Sequence, residues 1–222
     1  MAWRQTVRPV SKRLEHARQL FMQECKFLRP VRAFEDLPPT KLPEVAFGGR
    51  SNVGKSSLLN ALTNRKTLAR VSNTPGRTRE INLFDLGHRL TLADLPGYGY
   101  ARVSKAMSAD WRRLIEAYLR GRPQLRRVCL LIDARHGANE NDRTMMEILN
   151  EAAASFLVVL TKTDKLKTTE IAEAVNAARA LAGKHAAAHP DIFATSAETK
   201  LGMPELRAHL ADLAETVYKR GR

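Results

Sequence analysis

A glycine-rich segment directly follows a short apolar run, and its residue types suit phosphate chemistry. Residues 49–56 read GRSNVGKS and match the pattern G-x-x-x-x-G-K-[ST] at every fixed position. Glycines let the backbone wrap a phosphate closely, so that successive N–H groups and the positive end of a following helix face it. Lys55 can then reach the β- and γ-phosphates of a nucleotide, and the Ser56 hydroxyl can hold Mg²⁺. The candidate phosphate-binding residues are Gly49, Arg50, Ser51, Asn52, Val53, Gly54, Lys55 and Ser56.

The tetrapeptide Asp94-Leu95-Pro96-Gly97 ends the apolar segment 90–94 and is a second candidate phosphate contact. An aspartate at a strand end can hold a water of the Mg²⁺ shell, and Gly97 can offer its N–H to the γ-phosphate. An ordinary turn is the alternative for this tetrapeptide read alone. Its place downstream of the glycine-rich segment favours the functional interpretation.

Two later segments are candidates for reading a base. Thr161-Lys162-Thr163-Asp164 follows the apolar run 156–160. The Asp164 carboxylate can accept hydrogen bonds from guanine N1–H and N2–H₂, a donor pair that adenine lacks, and the Lys162 stem can lie over the base plane. A solvated loop is the alternative. Further on, the backbone of Thr195-Ser196-Ala197 can meet guanine O6, although this is the weakest of the motifs.

The segment 73–79, NTPGRTR, lies between the first helix and a hairpin. The Thr78 hydroxyl can complete the Mg²⁺ shell when a γ-phosphate is present. Thr74 competes for this role, and an ordinary Pro-Gly turn is the alternative without function.

Alternating strand and helix patterns must position these motifs. Strands are predicted at 44–48, 81–86, 89–94, 127–133, 155–161 and 191–195, and helices at 55–63, 104–120, 140–153, 168–184 and 203–220. The strands 128–132 and 156–160 are apolar throughout, as expected where both faces of a sheet are covered. A hairpin through Gly87 adds an antiparallel strand. The pattern predicts an α/β fold with a mostly parallel six-stranded sheet and one antiparallel edge strand.

Length and charge narrow the class of protein further. The 222 residues suit one domain, for which we expect residues 32–220, preceded by a basic extension at residues 1–31. Lys and Arg number 37 against 23 Asp and Glu, a net charge of +14. Such an excess favours a polyanionic partner, either nucleic acid or an anionic membrane. Nucleic acid or a ribonucleoprotein is favoured because no strongly amphipathic lipid-binding helix accompanies the charge.

The compartment is predicted from what the chain lacks. Two cysteines, Cys25 and Cys129, provide no disulfide framework. No run approaches the roughly 18–20 apolar residues of a membrane span, and the basic N-terminal segment does not resemble a secretory signal. We expect a cytoplasmic monomer without stable membrane insertion; an organelle-targeting N-terminal segment is the alternative.

In their order along the chain, GRSNVGKSSL, NTPGRT, DLPGYG, TKTD and TSA resemble the EngB (YihA/YsxC) family of bacterial GTPases. The resemblance implies a Ras-like GTPase domain of the P-loop NTPase class, GTP and GDP as ligands, and Mg²⁺ held by Ser56 and Thr78. It also implies a nucleotide-dependent role in assembly of the large ribosomal subunit, with a link to cell division and septation. Lys55, Thr78 and Gly97 would act on the γ-phosphate. The resemblance adds one further set of nucleotide contacts: Gly76, Arg77, Thr78, Arg79 and Glu80.

Two positions bear on the rate of hydrolysis. Tyr98 takes the place after D-x-x-G where Ras has a water-orienting glutamine, and a phenol with a pKa of about 10 is a poor base at neutral pH. Slow intrinsic GTP hydrolysis is therefore expected. Asn52 can help to hold K⁺ beside the phosphates, or it only shapes the loop.

Two other functions remain open from the sequence. One is a nucleotide-dependent binding module with incidental turnover. The other is a P-loop ATPase or small-molecule kinase, against which Asp164 argues.

Overall fold

The computed structural model describes residues 10–66, 68, 80–99 and 105–215. In these residues, helices flank both faces of one seven-stranded sheet. The helices are α1 Val10–Met22, α2 Lys55–Leu62, α3 Lys105–Gly121, α4 Glu140–Glu151, α5 Thr168–Ala182 and α6 Met203–Glu215. The strands are β1 Cys25–Val31, β2 Glu44–Gly49, β3 Ile81–Leu86, β4 Leu90–Asp94, β5 Leu125–Asp133, β6 Phe156–Thr161 and β7 Ala188–Ala194.

The strand order is β1-β3-β4-β2-β5-β6-β7, which confirms the predicted α/β class. Strands β4, β2, β5, β6 and β7 are mutually parallel, whereas β3 pairs antiparallel with β4 on one side and with β1 on the other. The β3–β4 hairpin turns through Gly87 and His88, both at positive φ. The sheet has one strand more than expected because β1 covers the outer side of the antiparallel strand.

The described part of the expected extension 1–31 packs into the same fold as the rest of the chain. Strand β1 pairs with β3 from Cys25, opposite Leu86, to Val31, opposite Ile81. Helix α1 buries Ala17, Leu20 and Phe21 in a core that it shares with α2 and α6. Arg13 of α1 also forms an ion pair with Asp212 of α6.

The central strands alternate their side chains between two cores. Cys129 and Leu131 of β5 face the core lined by α1, α2 and α6. Val128 and Leu130 face the core lined by α3, α4 and α5. This two-sided burial explains why β5 is continuously apolar, as is expected of a strand covered on both faces.

The apolar helix faces predicted from the sequence are largely confirmed. In α3, Leu114, Ile115, Tyr118 and Leu119 are buried and Trp111 is half-buried. In α6, Leu206 and Leu210 are buried and Leu213 is half-buried, while Val217 lies outside the described residues. Across the described residues, no helix combines the length and apolar character needed to cross a membrane.

A buried ionic cluster joins the start of β2 to the end of α3. Glu44 is fully buried, and its carboxylate accepts a hydrogen bond from the Tyr118 hydroxyl at 2.6 Å. Arg122 Nε donates to Glu44 Oε1 at 3.3 Å and to Oε2 at 3.2 Å, Nη2 donates to Oε2 at 2.9 Å, and Nη1 donates to the Pro38 carbonyl. The cluster satisfies a carboxylate that water does not reach and fixes the chain that enters the central strand.

Because Arg122 neutralises a buried carboxylate, Arg122→Met should lower the free energy of unfolding by about 3–5 kcal/mol. Arg112→Met is the matched control, since Arg112 pairs with Glu116 on the exposed face of α3 and should leave the unfolding midpoint almost unchanged. Urea denaturation measures both variants. Equal midpoints for the two would show that the Glu44 cluster does not stabilise the fold.

Candidate nucleotide-binding site

The chemistry-bearing segments lie at one edge of the sheet. Parallel strands end at a common edge, and in open α/β sheets ligands bind there. Five such strands end at, or lead directly into, residues with phosphate-binding or polar side-chain character: Gly49, Asp94, Asp133, Thr161 and Thr195. The structure thus brings together the glycine-rich loop, the D-x-x-G segment and both base-reading segments.

The glycine-rich loop connects β2 to α2 with a backbone that only small or special residues adopt. Gly54 precedes the helix at φ 104°, and Asn52 has φ 63°, a left-handed conformation that asparagine tolerates better than most residues. A Cβ atom on Gly49 would lie 2.9 Å from Val53 Cγ1 and 3.1 Å from the Leu131 carbonyl oxygen. The loop therefore folds closely over the sheet edge, and Gly54 opens directly into α2.

Lys55 and Ser56 begin α2 beside the end of β4. The Lys55 ammonium group donates to Asp94 Oδ1, and both side chains are mostly buried. The Ser56 hydroxyl and the Asp94 carboxylate offer oxygen ligands, which Mg²⁺ prefers, so this donor set fits the ion. The other expected magnesium ligand, Thr78, lies outside the described residues together with Thr74, Gly76, Arg77 and Arg79. Glu80 is described, and it forms an ion pair with Arg32.

The first two residues of the base-reading segment tie down the phosphate loop. The buried Thr161 hydroxyl donates to the Val53 carbonyl at 2.6 Å. Lys162 has φ 59°, and its ammonium group donates to the Asn52 carbonyl at 2.6 Å and to Asp133 Oδ2 at 2.9 Å. Thr161 and Lys162 therefore hold two successive carbonyls of the loop.

Asp164 is oriented by the Thr195-Ser-Ala segment. The Ser196 hydroxyl donates to Asp164 Oδ1 at 2.6 Å and accepts the backbone N–H groups of Glu198 and Thr199. Lys165 forms an ion pair with the other carboxylate oxygen at 3.1 Å. The Ser196 hydrogen bond, with help from Lys165, lowers the pKa of Asp164. The carboxylate is consequently ionised at neutral pH and accepts hydrogen bonds only, as guanine recognition requires.

A cavity of about 810 Å³ lies between α2 and the two base-reading segments. Its wall includes Gly54 of the phosphate loop, Thr161, Lys162 and Asp164, and Ala197. The predicted base contacts thus share one cavity with the end of the phosphate loop. A base held by Asp164 would have its phosphates directed towards the amino end of α2.

The segment Asp94–Tyr98 is attached to the phosphate loop and to two helices. Tyr98 N–H donates to the Gly49 carbonyl at 3.4 Å, and Ser51 N–H donates to the Tyr98 carbonyl at 3.3 Å. Trp111 of α3 donates through Nε1 to the Pro96 carbonyl at 3.2 Å. The Gly97 backbone lies against Ser51, because a Cβ atom there would be 3.1 Å from the Ser51 hydroxyl oxygen.

The Tyr98 side chain points into the protein, towards α4. Its hydroxyl donates to Asp142 Oδ1 of α4 at 2.9 Å, and the side chain is buried. Burial, reinforced by the Asp142 carboxylate, raises the pKa of Tyr98 well above its ordinary value. The hydroxyl stays protonated at neutral pH, so it cannot act as a base there.

Sequence reasoning missed three contributors to this arrangement. Asp133 anchors Lys162, Asp142 receives Tyr98, and Trp111 holds the Pro96 carbonyl. The role of Asp133 could have been predicted from the sequence, since it ends an apolar strand as Asp94 does. The roles of Asp142 and Trp111 could not have been predicted in this way, because they arise from packing between elements that are distant along the chain.

Three features lie at one edge of the parallel sheet: a phosphate loop that opens a helix, a D-x-x-G segment, and an aspartate oriented to accept hydrogen bonds from guanine. This combination defines the class of P-loop GTPases. Residues 44–162 match the family described as 50S ribosome-binding GTPase, and residues 113–216 match the elongation factor Tu GTP binding domain. The chain belongs to the EngB family of GTP-binding proteins. It is 56% identical to a probable GTP-binding protein EngB of Rhodospirillum rubrum, covering 92% of this chain and 90% of that protein. A Caulobacter vibrioides relative of the same description is 51% identical, covering 91% and 88%.

Solved structures share the fold at low sequence identity. A crystal structure of a probable GTP-binding protein EngB has a TM-score of 0.62 and 22% identity, covering 78% of this chain and 98% of that one. The translation elongation factor SelB of Methanococcus maripaludis, in complex with a GTP analogue, has a TM-score of 0.57 and 22% identity, covering 81% and 35%. These likenesses support the α/β P-loop GTPase fold.

Two buried threonines of the base-reading segment, Thr161 and Thr163, allow a test of the hydrogen bond from Thr161 to the phosphate loop. Thr161→Val removes the donor to the Val53 carbonyl, and an unsatisfied buried acceptor costs about 1–3 kcal/mol. We expect GDP affinity to fall on the order of tenfold, because this cost falls on the loop conformation that binds phosphate. Thr163→Val is the matched control, since in the described part of the chain the buried Thr163 hydroxyl has no hydrogen-bond partner. Calorimetric titration with GDP measures both, and equal affinities would refute the role of Thr161.

Proposed function

We propose that this protein is a GTP-hydrolysing switch that acts on the large ribosomal subunit during its assembly. The observation that carries the proposal is the direct connection between the phosphate loop and the guanine-reading segment through Thr161 and Lys162. Such a connection lets one ligand, a guanine nucleotide, span both segments. Membership of a family described as 50S ribosome-binding GTPase supports the choice of partner.

In the proposed complex, GTP or GDP occupies the cavity with its base against Asp164 and Ala197 and its phosphates against residues 49–56. Mg²⁺ would be held by the Ser56 hydroxyl, with Asp94 acting through a water and Thr78 joining when a γ-phosphate is present. Lys55 would leave Asp94 for the β- and γ-phosphates. This exchange of partners is available because the ammonium group already lies at the mouth of the loop.

Hydrolysis by the isolated chain should be slow. Tyr98 follows the D-x-x-G segment, yet its hydroxyl is committed to Asp142 and its raised pKa excludes general-base chemistry. The γ-phosphate would instead depend on Lys55, Thr78 and the Gly97 N–H, with added help from a cation or a partner surface. A K⁺ ion beside Asn52 is one candidate for that help; the left-handed backbone of Asn52 equally supports a loop-shaping role.

The exposed basic residues support an RNA-containing partner, but not every basic residue of segment 120–126 is exposed. Arg120 and Arg126 are exposed and available to phosphates, whereas Arg122 of the same stretch is buried against Glu44. The net charge of the chain therefore overestimates the number of positively charged side chains that are exposed in this region. Rapid, salt-sensitive association with ribosomal RNA is the expected consequence of those that remain. A role in cell division and septation, a cytoplasmic location and a monomeric state stay predictions.

Guanine selectivity tests the assignment of the base site. Asp164→Asn exchanges one acceptor for a donor, so GTP affinity should fall by about 1.5–3 kcal/mol per lost charge-assisted hydrogen bond, while xanthosine triphosphate affinity rises. Glu198→Gln is the matched control, because it removes another carboxylate at the same cavity and should change neither affinity. Competition against a fluorescent GDP analogue measures all three proteins. Unchanged GTP affinity in Asp164→Asn would exclude this residue from base recognition.

Nucleotide-dependent binding tests the proposed partner. Co-sedimentation of the full chain with purified large subunits should be strong with a non-hydrolysable GTP analogue and weak with GDP. Raising salt from about 50 to 200 mM should weaken it by orders of magnitude if several phosphate contacts form.

Asp164→Asn supplies an internal control for that experiment. This variant should co-sediment with a xanthosine triphosphate analogue and not with the GTP analogue, which shows that the nucleotide on this chain controls binding. Sedimentation that ignores both nucleotide and salt would contradict the ribosomal switch. Stimulated GTP turnover on the subunit separates a hydrolysing switch from a binding module with incidental turnover.

A further inference from the structure

A second cluster of ligand-type side chains lies away from the nucleotide site, near the amino end of β7. His189 and Asp191 of β7 meet His209 of α6, and one possible ligand atom from each residue lies within 4.8 Å of the other two. The nucleotide-site residue Thr195 follows the opposite, carboxyl end of the same strand. The cluster is therefore separate from the Mg²⁺ ligands proposed above.

His209 is the group in this cluster that lacks an explanation. Its Nε2 atom is buried and has no hydrogen-bond partner among the described residues, although buried polar atoms are normally paired. Its ring packs edge-to-face on His189, at 4.7 Å between ring centroids, and lies 5.2 Å from Phe193. A neutral imidazole nitrogen is a common metal ligand, so the unpaired His209 Nε2 is available to an ion.

We propose that His189, Asp191 and His209 bind one divalent transition-metal ion of the Zn²⁺ or Co²⁺ type. Two imidazole nitrogens and one carboxylate oxygen form a donor set that suits these ions, with a fourth position left for water. The nucleotide site offers oxygen ligands that suit Mg²⁺, so the two sites differ in the metal that each selects.

Two features of the cluster oppose the ion and limit its affinity. His189 Nδ1 accepts the Asp191 backbone N–H at 3.2 Å, and coordination through that nitrogen would replace this hydrogen bond. The Arg127 side chain lies close enough for its charge to lower the pKa of both imidazoles. Its positive charge would repel a metal ion. The exposed Asp191 carboxylate supplies the compensating negative charge.

A bound ion would join β7 to α6. Residues 195–202 connect these two elements and include Ser196, which orients Asp164. The metal would therefore link the two elements that flank the connection carrying Ser196. We expect an increase in thermal stability with metal concentration, since a ligand that binds only the folded state stabilises it by mass action.

The test uses the full chain saturated with GDP and excess Mg²⁺, titrated with Co²⁺ and followed by visible absorption. We expect one equivalent to bind with the intense bands of a low-symmetry site, and Zn²⁺ to displace it. His189→Gln and His209→Gln should each weaken binding by at least about tenfold, the lower limit seen when even groups behind the ligands are removed. His136→Gln, an exposed histidine outside the cluster, is the matched control and should bind as the parent chain does.

Asp191→Asn and Arg127→Gln complete the design. Asp191 is exposed, so Asp191→Asn should fold normally and still lose affinity. Arg127→Gln should bind more tightly, because it removes a repelling charge. GDP affinity, measured for every variant, reports folding independently of metal. Absence of saturable Co²⁺ binding, equal binding by the ligand variants and the His136→Gln control, or unchanged or weaker binding by Arg127→Gln would each overturn the proposal.

Discussion

The phosphate loop holds its shape because the carbonyl groups that it turns towards the protein are hydrogen-bonded to the segment that follows β6. A loop that turns its N–H groups towards a ligand must turn carbonyl groups towards the protein, and buried carbonyls need donors. Thr161 supplies one donor and Lys162 the other, and Asp133 holds Lys162 from behind. The candidate phosphate-binding and base-reading segments are therefore parts of one connected structure. Disturbing either carbonyl contact would displace both functions, even though neither threonine nor lysine needs to touch a phosphate.

A second set of contacts connects the D-x-x-G segment to the helices rather than to the base site. Pro96 is held by Trp111 of α3, and Tyr98 by Asp142 at the start of α4. Asp142 also completes the capping of α4, since its carboxylate accepts Asn139 N–H at 3.0 Å. If a γ-phosphate draws the Gly97 N–H towards itself, the adjoining Pro96 and Tyr98 contacts must adjust, and both helices would register the change. In the proposed switch, a change at the γ-phosphate would therefore reach α3 and α4.

The candidate site was easier to recognise in the sequence than the edges of the fold. Motifs such as residues 49–56 carry local requirements, because the loop geometry demands glycine and the phosphates demand lysine. Strand β1 has no such signature: CKFLRPV contains a proline, exposes Phe27 and Leu28, and becomes a strand only by pairing with β3. The hydrogen bond from Thr161 to the Val53 carbonyl could not be predicted from the sequence either, since it joins residues 108 positions apart. Tyr98 was correctly predicted to be a poor base, but its burial against Asp142 depends on the packing of α4.

The direction of the Tyr98 side chain limits where catalytic help can come from. Moving its hydroxyl towards a γ-phosphate would leave the Asp142 carboxylate without this donor in a site where burial already raises the pKa of that carboxyl group. That cost opposes any rearrangement that turns Tyr98 into a water-orienting residue. Positive charge beside the phosphates is the remaining means of stabilising a loose phosphoryl-transfer transition state. In the proposed site that charge would come from Lys55 and Mg²⁺, and faster turnover would call for a further cation or a surface brought by the partner. If the chain is the switch proposed above, it would stay in its GTP-bound form until the partner is in place, which is the behaviour that an assembly checkpoint requires.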